Sequence, residues 1–126
     1  MSQTWQSDRR QTGKTGEAQA LQYLRDQHYD IVATNFHASH FGEIDIIAQD
    51  GETLVFVEVR TRQTHSGGSP QESVDEIKLG RMIRAAEYYL MKHPGDFPWR
   101  IDVLALQLNP DGTLAALKHF DNVSMD

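Results

Sequence analysis

Residues 42–62 read GEIDIIAQDGETLVFVEVRTR, and this stretch restricts the fold more than any other. Two apolar runs, Ile44–Ala48 and Leu54–Val59, flank an Asp50-Gly51 pair. Asp-Gly between alternating hydrophobic segments predicts a β-hairpin. With Asp50 and Gly51 as the turn residues, Gln49 faces Glu52, Ile47 faces Leu54, Asp45 faces Phe56 and Glu43 faces Glu58. Side chains alternate along a strand, so Glu43, Asp45, Ile47, Leu54, Phe56, Glu58 and Arg60 share one face. Ile44, Ile46, Ala48, Thr53, Val55, Val57 and Val59 share the other. Asp45 and Glu58 are then diagonal neighbours, roughly 7–8 Å apart at the backbone, and able to converge on one ion.

Near the turn both faces are apolar, which predicts central strands covered on each side. Carboxylates at the far end of such strands face desolvation, which is costly unless they are paired or bind a metal. Arg60, two residues beyond Glu58, offsets part of the charge. A plainer reading of the same residues is a surface ion-pair cluster on a half-exposed hairpin.

With 126 residues the chain is long enough for one domain with its own hydrophobic core. Residues 1–12 are polar and predict a flexible tail, leaving residues 13–126 as the domain. The absence of cysteine excludes disulfides and thiolate metal sites and points to the cytoplasm. The N-terminal residues lack the apolar core of a secretory signal, and no apolar run approaches a membrane span, so no membrane partner is expected. A net charge of −6 argues against a protein that coats nucleic acid generally. It does not argue against an enzyme on phosphodiesters, because bound cations reverse the local field.

A first helix is predicted from about Thr15 to Gln27, with Glu17, Leu21, Leu24 and His28 on one stripe. A carboxylate at Glu17 can complement the helix dipole or reach the hairpin acids. Tyr29–Phe36 reads as a strand. His37 and His40 follow it on a short link, read as solvated or phosphate-contacting rather than metal-binding. Gln63–Glu72 is rich in Gly, Ser and Pro and reads as a loop beside the acids. The second helix is expected from near Ser73 to the stop at His93-Pro94-Gly95. Leu79, Met82, Ile83, Ala86 and Leu90 form its inner stripe, and Lys78, Arg81 and Arg84 a basic flank. That flank is either solvated or a set of phosphate contacts. Trp99–Leu108 and Thr113–Phe120 are two further strands around an Asn109-Pro110-Asp111-Gly112 turn. Asp102 pairs structurally with Arg100 or Lys118 and stands outside the candidate site. The order αβββαββ predicts an α/β domain with a mixed sheet flanked by helices and a right-handed β–helix–β crossover.

Asp45, a hairpin, then Glu58-Val59-Arg60 resembles the Asp…(Asp/Glu)-x-Lys signature of the PD-(D/E)XK nuclease superfamily. The longer string Gly42-Glu43-Ile44-Asp45 with Val55-Phe56-Val57-Glu58-Val59-Arg60-Thr61-Arg62 resembles the YraN-type family of small bacterial proteins. That family is regarded as endonucleases predicted from sequence and related to archaeal Holliday-junction resolvases; the resemblance runs from about Gly13 to Phe120. It implies a restriction-endonuclease-like core and a metal-dependent endonuclease, with DNA of branched or repair type favoured over RNA. Phosphodiester hydrolysis suits Mg²⁺ or Mn²⁺ on oxygen ligands. Asp45, Glu58 and the Val59 carbonyl are the expected ligands, and Glu17 is added because related nucleases carry a Glu on this helix. Arg60 stands where the signature has Lys; an Arg can hold the scissile phosphate but cannot give up its proton. Lys78 is the residue able to take that other role. Lys78, Arg81, Arg84 and Arg62 are the expected nucleic-acid contacts, and a symmetric dimer would suit a two-fold junction. Two other classes stay open: a repair-accessory binding module of the same fold with little activity, and a protein-interaction domain whose acids only form ion pairs.

Overall fold

The hairpin forms, and its turn sits one residue later than the sequence reading places it. Asp50 pairs with Thr53, so Gly51 and Glu52 are the turn residues, and the ladder runs Gln49↔Leu54, Ala48↔Val55, Ile47↔Phe56, Ile46↔Val57. Gly51 adopts φ of 62°. A two-residue turn needs positive φ at its first central position, which costs Gly nothing and Asp more. Asp50 is also held at the strand end by Arg100, 3.1 Å away. Partners along the second strand therefore move by two residues, which preserves the faces within the ladder, and Asp45 lies just beyond its last pair, Ile46↔Val57.

The computed structural model describes the backbone of residues 2–64 and 76–123, with side chains from residue 13 onward. Its elements are α1 (Ser2–Asp26), β1 (Asp30–His37), β2 (Glu43–Asp50), β3 (Thr53–Gln63), α2 (Glu76–Lys92), β4 (Trp99–Leu108) and β5 (Leu114–Phe120), with a 3₁₀ turn at Ser39–Phe41. One sheet holds all five strands in the order β1-β2-β3-β4-β5. Only β3 and β4 are parallel, joined across α2. The αβββαββ order and the mixed sheet are as expected from sequence. The loop expected over 63–72 begins later, since β3 continues to Gln63, and residues 65–75, with the expected helix start at Ser73, lie outside the described residues.

α1 begins at Ser2 rather than Thr15, so the expected tail is helical. Lack of apolar periodicity argued against burial there, not against helix, and Gln, Arg and Lys propagate helices well. At its other end His28 takes φ of 70° and closes the helix, Tyr29 N–H donating to the Leu24 carbonyl at 2.9 Å. His28 is thus an exposed cap instead of the expected stripe residue.

The sheet is covered on both faces. Ala20 and Leu24 of α1 pack on Ile46, Ala48, Val55, Val57, Leu104 and Leu106. Leu24 is fully buried, so cutting it to Ala costs about 2–5 kcal/mol. On the other face Ala85, Ala86 and Tyr89 of α2 pack on Ile47, Leu54, Phe56 and Ile101. Ala86 was expected there, and the expected Leu79, Met82, Ile83 and Leu90 pack against the same cluster while only partly buried; Ala85 and Tyr89 join it as buried members. Gly16 makes the α1 seat possible: a Cβ there would run into the Thr61 side chain on β3.

Asp102 is the one fully buried charged residue among those described. It accepts hydrogen bonds from Arg100 Nε (3.1 Å), His119 Nε2 (2.7 Å) and the Asn122 amide (2.9 Å). Tyr23 joins its hydroxyl to His119 Nδ1 at 2.8 Å, and Arg100 donates to the Tyr29 hydroxyl at 2.8 Å. Burial raises the Asp102 carboxyl, yet these donors outweigh it and hold the group below the usual carboxylate range. The expected Arg100 partner is present, and His119 takes the place of Lys118 because it shares the α1 side of the sheet.

Candidate functional site

The candidate site lies where the sheet forks. The β2–β3 ladder ends at Ile46↔Val57. Beyond it β2 stays with β1 through Phe36↔Ile44 and His37↔Glu43, while β3 stays with β4 as far as Gln63↔Leu108. Asp45 stands in the fork. Its Oδ2 accepts the Val59 N–H at 2.8 Å, so a side chain replaces the missing backbone partner. Ile44 then leaves its expected face and packs with the α2-side cluster. Gly42, at φ 103°, sets the entry to this segment in a conformation that side-chain-bearing residues avoid.

Glu58 carries two cations. Its Oε2 accepts from Arg60 Nε at 3.0 Å and lies 3.1 Å from Lys78 Nζ. Lys78 therefore does point inward, from the first turn of α2. Glu17 approaches from α1 and accepts from Asn35 Nδ2 at 3.0 Å. Glu43 lies 3.4 Å from His37, an exposed and weak pair.

The acids feel one another. Asp45 is pushed up to about 6, first by burial and then by the charges of Glu58, Glu17 and Glu43, against the lowering effect of the Val59 amide. Glu17 is also raised, by burial and by Glu43. Four carboxylates therefore share one field, and Asp45 gives up its proton only as the pH rises through about 6. Such a displaced carboxylate in a cleft is a mark of functional sites and also of structural clusters. Among the described residues, no three His, Cys, Asp or Glu side chains stand close enough to form a metal cage as they are. The donor chemistry nevertheless fits a hard divalent cation: only carboxylate and carbonyl oxygens are offered, and a cation would relieve the repulsion that raises Asp45.

A cleft of about 750 Å³ opens from the fork, between the 3₁₀ turn with β2 on one side and the start of α2 on the other. Asp45, Glu58, Lys78 and Arg81 line it, with Phe41, Ile44, Phe56, Ile77 and Met82. Arg84 is exposed but does not line it. Residues three apart on a helix drift around the axis, so the three-residue basic row is really a pair at the cleft and one residue outside it. Arg62 is half-buried on β3, on the strand face of Glu58 and Arg60. His37 and His40 are exposed, as expected for histidines outside a metal site.

Asp45, Glu58, Val59, Arg60 and Lys78 thus meet, with Glu17 coupled to them through charge. Two participants escaped the sequence reading. Glu43 was on the correct face but unassigned, and its spacing of two from Asp45 was the available signal. Asn35, with φ 51°, gave none.

A family model described as "Uncharacterised protein family UPF0102" matches residues 16–106. The chain belongs to the UPF0102 family. That span contains every residue of the fork. A UPF0102 protein of Dehalococcoides mccartyi is 42% identical over 114 residues, covering 89% of this chain and 93% of that protein. One from Alcanivorax borkumensis is 43% identical over 111 residues, 86% of each. One from Persephonella marina reaches 49% over 80 residues, 64% of this chain and 68% of its own. The YraN-type resemblance therefore holds at the level of the family. No described helix is long and apolar enough to cross a membrane.

Proposed function

We propose that this chain is a metal-dependent endonuclease of the PD-(D/E)XK type with a restriction-endonuclease-like core, acting on DNA of branched or repair type. The observation that carries the reading is Asp45 and Glu58 lining one cleft at the fork, just beyond the last β2–β3 pair, with Arg60 and Lys78 on Glu58. Asp45, Glu58 and Glu17 would hold Mg²⁺ or Mn²⁺. The Val59 carbonyl points to the same strand edge as the amide that fixes Asp45, since a strand residue directs both groups one way. When bound, the ion supplies charge neutralisation at the phosphate.

The protein's own contribution is positioning and charge. The Val59 amide fixes the Asp45 carboxylate. Arg60 can turn from Glu58 to a phosphate oxygen through its planar fork of donors. Lys78 brings to the same carboxylate the ammonium group that the signature places two residues after the Glu. Arg81 extends the positive charge along the cleft.

The test is a panel of labelled duplex, flap, junction and RNA substrates incubated with Mg²⁺ or Mn²⁺, with Asp45→Ala and Glu58→Ala as controls. Metal-dependent cleavage lost in both variants supports the reading. A specific feature favours the second reading, a binding module with little activity: Glu58 is already engaged by two cations that an ion would have to displace. Metal-independent binding with no cleavage in the panel would select it.

A further inference from the structure

The cleft is unlike a surface built for an intact double helix. Its floor is apolar, made by Phe56 (2% exposed), Ala85 (2%) and Ile44 (7%). Phe41, Ile77 and Met82 form the rim, and Ile77 is 75% exposed on the first turn of α2. Phe41, between Ser39 (φ 57°) and Gly42 (φ 103°), lines the cleft and is partly buried against the α2-side core. Beside this apolar wall stand two cations, Lys78 and Arg81, and the carboxylates Glu43, Asp45, Glu58 and Glu76. The volume, about 750 Å³, falls within the roughly 300–1,000 Å³ of sites that enclose small organic groups.

Each half of this lining limits the occupant. Bases stacked in a duplex offer groove edges to convex elements that enter the groove, and keep their faces covered. A concave apolar wall meets a base only when it has left the stack. A wholly apolar peptide would strip water from Asp45 and from the Glu58–Lys78 pair while offering them no polar contact of its own, which is unfavourable. One unit of a polynucleotide satisfies both halves, with an apolar base face and an anionic phosphate side by side.

We infer that the cleft takes an unpaired nucleotide, its base against Phe41, Ile77 and Met82 and its phosphates toward Lys78 and Arg81. The inference deepens the nuclease reading and rests on it for the placement of the phosphate. It makes the substrate a strand with at least one base out of the stack, at a flap, a junction or a single-stranded end. Phe41, Ile77 and Met82 become residues that select substrate.

The test compares a labelled thymidine 12-mer with an abasic strand of equal length and a paired duplex, by fluorescence anisotropy in Ca²⁺, followed by cleavage of the same strands in Mn²⁺. The full chain should bind the thymidine strand roughly tenfold tighter than the abasic one, within the range that one stacked base supplies. Phe41→Ala should remove that preference and leave abasic binding unchanged. Ile77→Ser, on an exposed position that folding does not use, should weaken it several-fold in the same selective way. Equal affinity for thymidine and abasic strands, or a preference for paired duplex, overturns the inference. Cleavage of the paired duplex as fast as of the thymidine strand overturns it while leaving the nuclease reading intact. Base-dependent binding without any metal-dependent cleavage supports the cleft assignment and overturns the nuclease.

Discussion

Replacing Asp45 by Asn should stabilise the metal-free protein at neutral pH. Asp45 rises from an ordinary 3.8 to about 6 in the folded state. Keeping it ionised at pH 7 therefore costs about 3 kcal/mol, since one pKa unit corresponds to about 1.4 kcal/mol. Asn removes the charge but keeps an oxygen for the Val59 amide, and loses about 1 kcal/mol of charge assistance in that bond. The net gain is about 1–2 kcal/mol, or roughly 4–8 °C in Tm for a chain of this size. The pH dependence fixes the cause. A carboxyl with a raised folded pKa contributes its stability below the unfolded value of 3.8 and loses it as pH rises through 6. The variant's advantage should therefore be near nothing at pH 4 and grow to its full size by pH 7. Asp102 slopes the other way, losing stability as pH falls through its lowered pKa, but both proteins carry it and it cancels in the difference. The assay is urea denaturation at pH 4, 5, 6 and 7 in chelator. A variant less stable at pH 7, or an advantage independent of pH, would refute the reasoning. Millimolar Mn²⁺ should then reverse the order by stabilising the parent alone, as expected of a ligand that binds only the native state.

Three further outcomes are expected. Arg60→Ala should lower cleavage by roughly two to three orders of magnitude and Arg60→Lys only modestly; single-turnover assays showing Arg60→Lys well above the parent would mean that Lys78 does not fill the role of the signature lysine. Arg81→Gln should reduce the slope of log affinity against log salt by about 1, while Arg84→Gln, outside the cleft, should change it less; equal slopes for all three proteins would return both arginines to solvent. Gly16→Ala should destabilise by about 1–3 kcal/mol in urea despite the better helix propensity of Ala, because its methyl meets Thr61; an unchanged midpoint would show that α1 can sit further from β3.

The hairpin, the sharing of one face by Asp45 and Glu58, and the αβββαββ order were legible because they follow from alternation and turn chemistry. The register was not, because Asp50-Gly51 admits two placements, and the contact of Asp50 with the distant Arg100 is not visible in the local pattern. The fork was also hidden. A local pattern reports which face a residue takes, but not where a strand exchanges one neighbour for another. Lys78 lies twenty residues from Glu58, so its inward direction depends on how α2 crosses the sheet. Glu17 could be placed on an inner stripe, whereas its bond to Asn35 depends on a left-handed residue that no period announces.

The Asp102 cluster bears on where this chain can be cut. The matched region ends at residue 106, which invites a shortened protein carrying every acid of the fork. Such a fragment would lack His119 and the Asn122 amide, two of the three donors to Asp102, and Val123, whose amide donates to the Ile101 carbonyl at 2.8 Å. A buried carboxylate stripped of most of its partners costs several kcal/mol, comparable to the whole stability of many small domains. β5 therefore belongs to the folding unit although it supplies nothing to the site, and the smallest autonomous piece extends past Asn122.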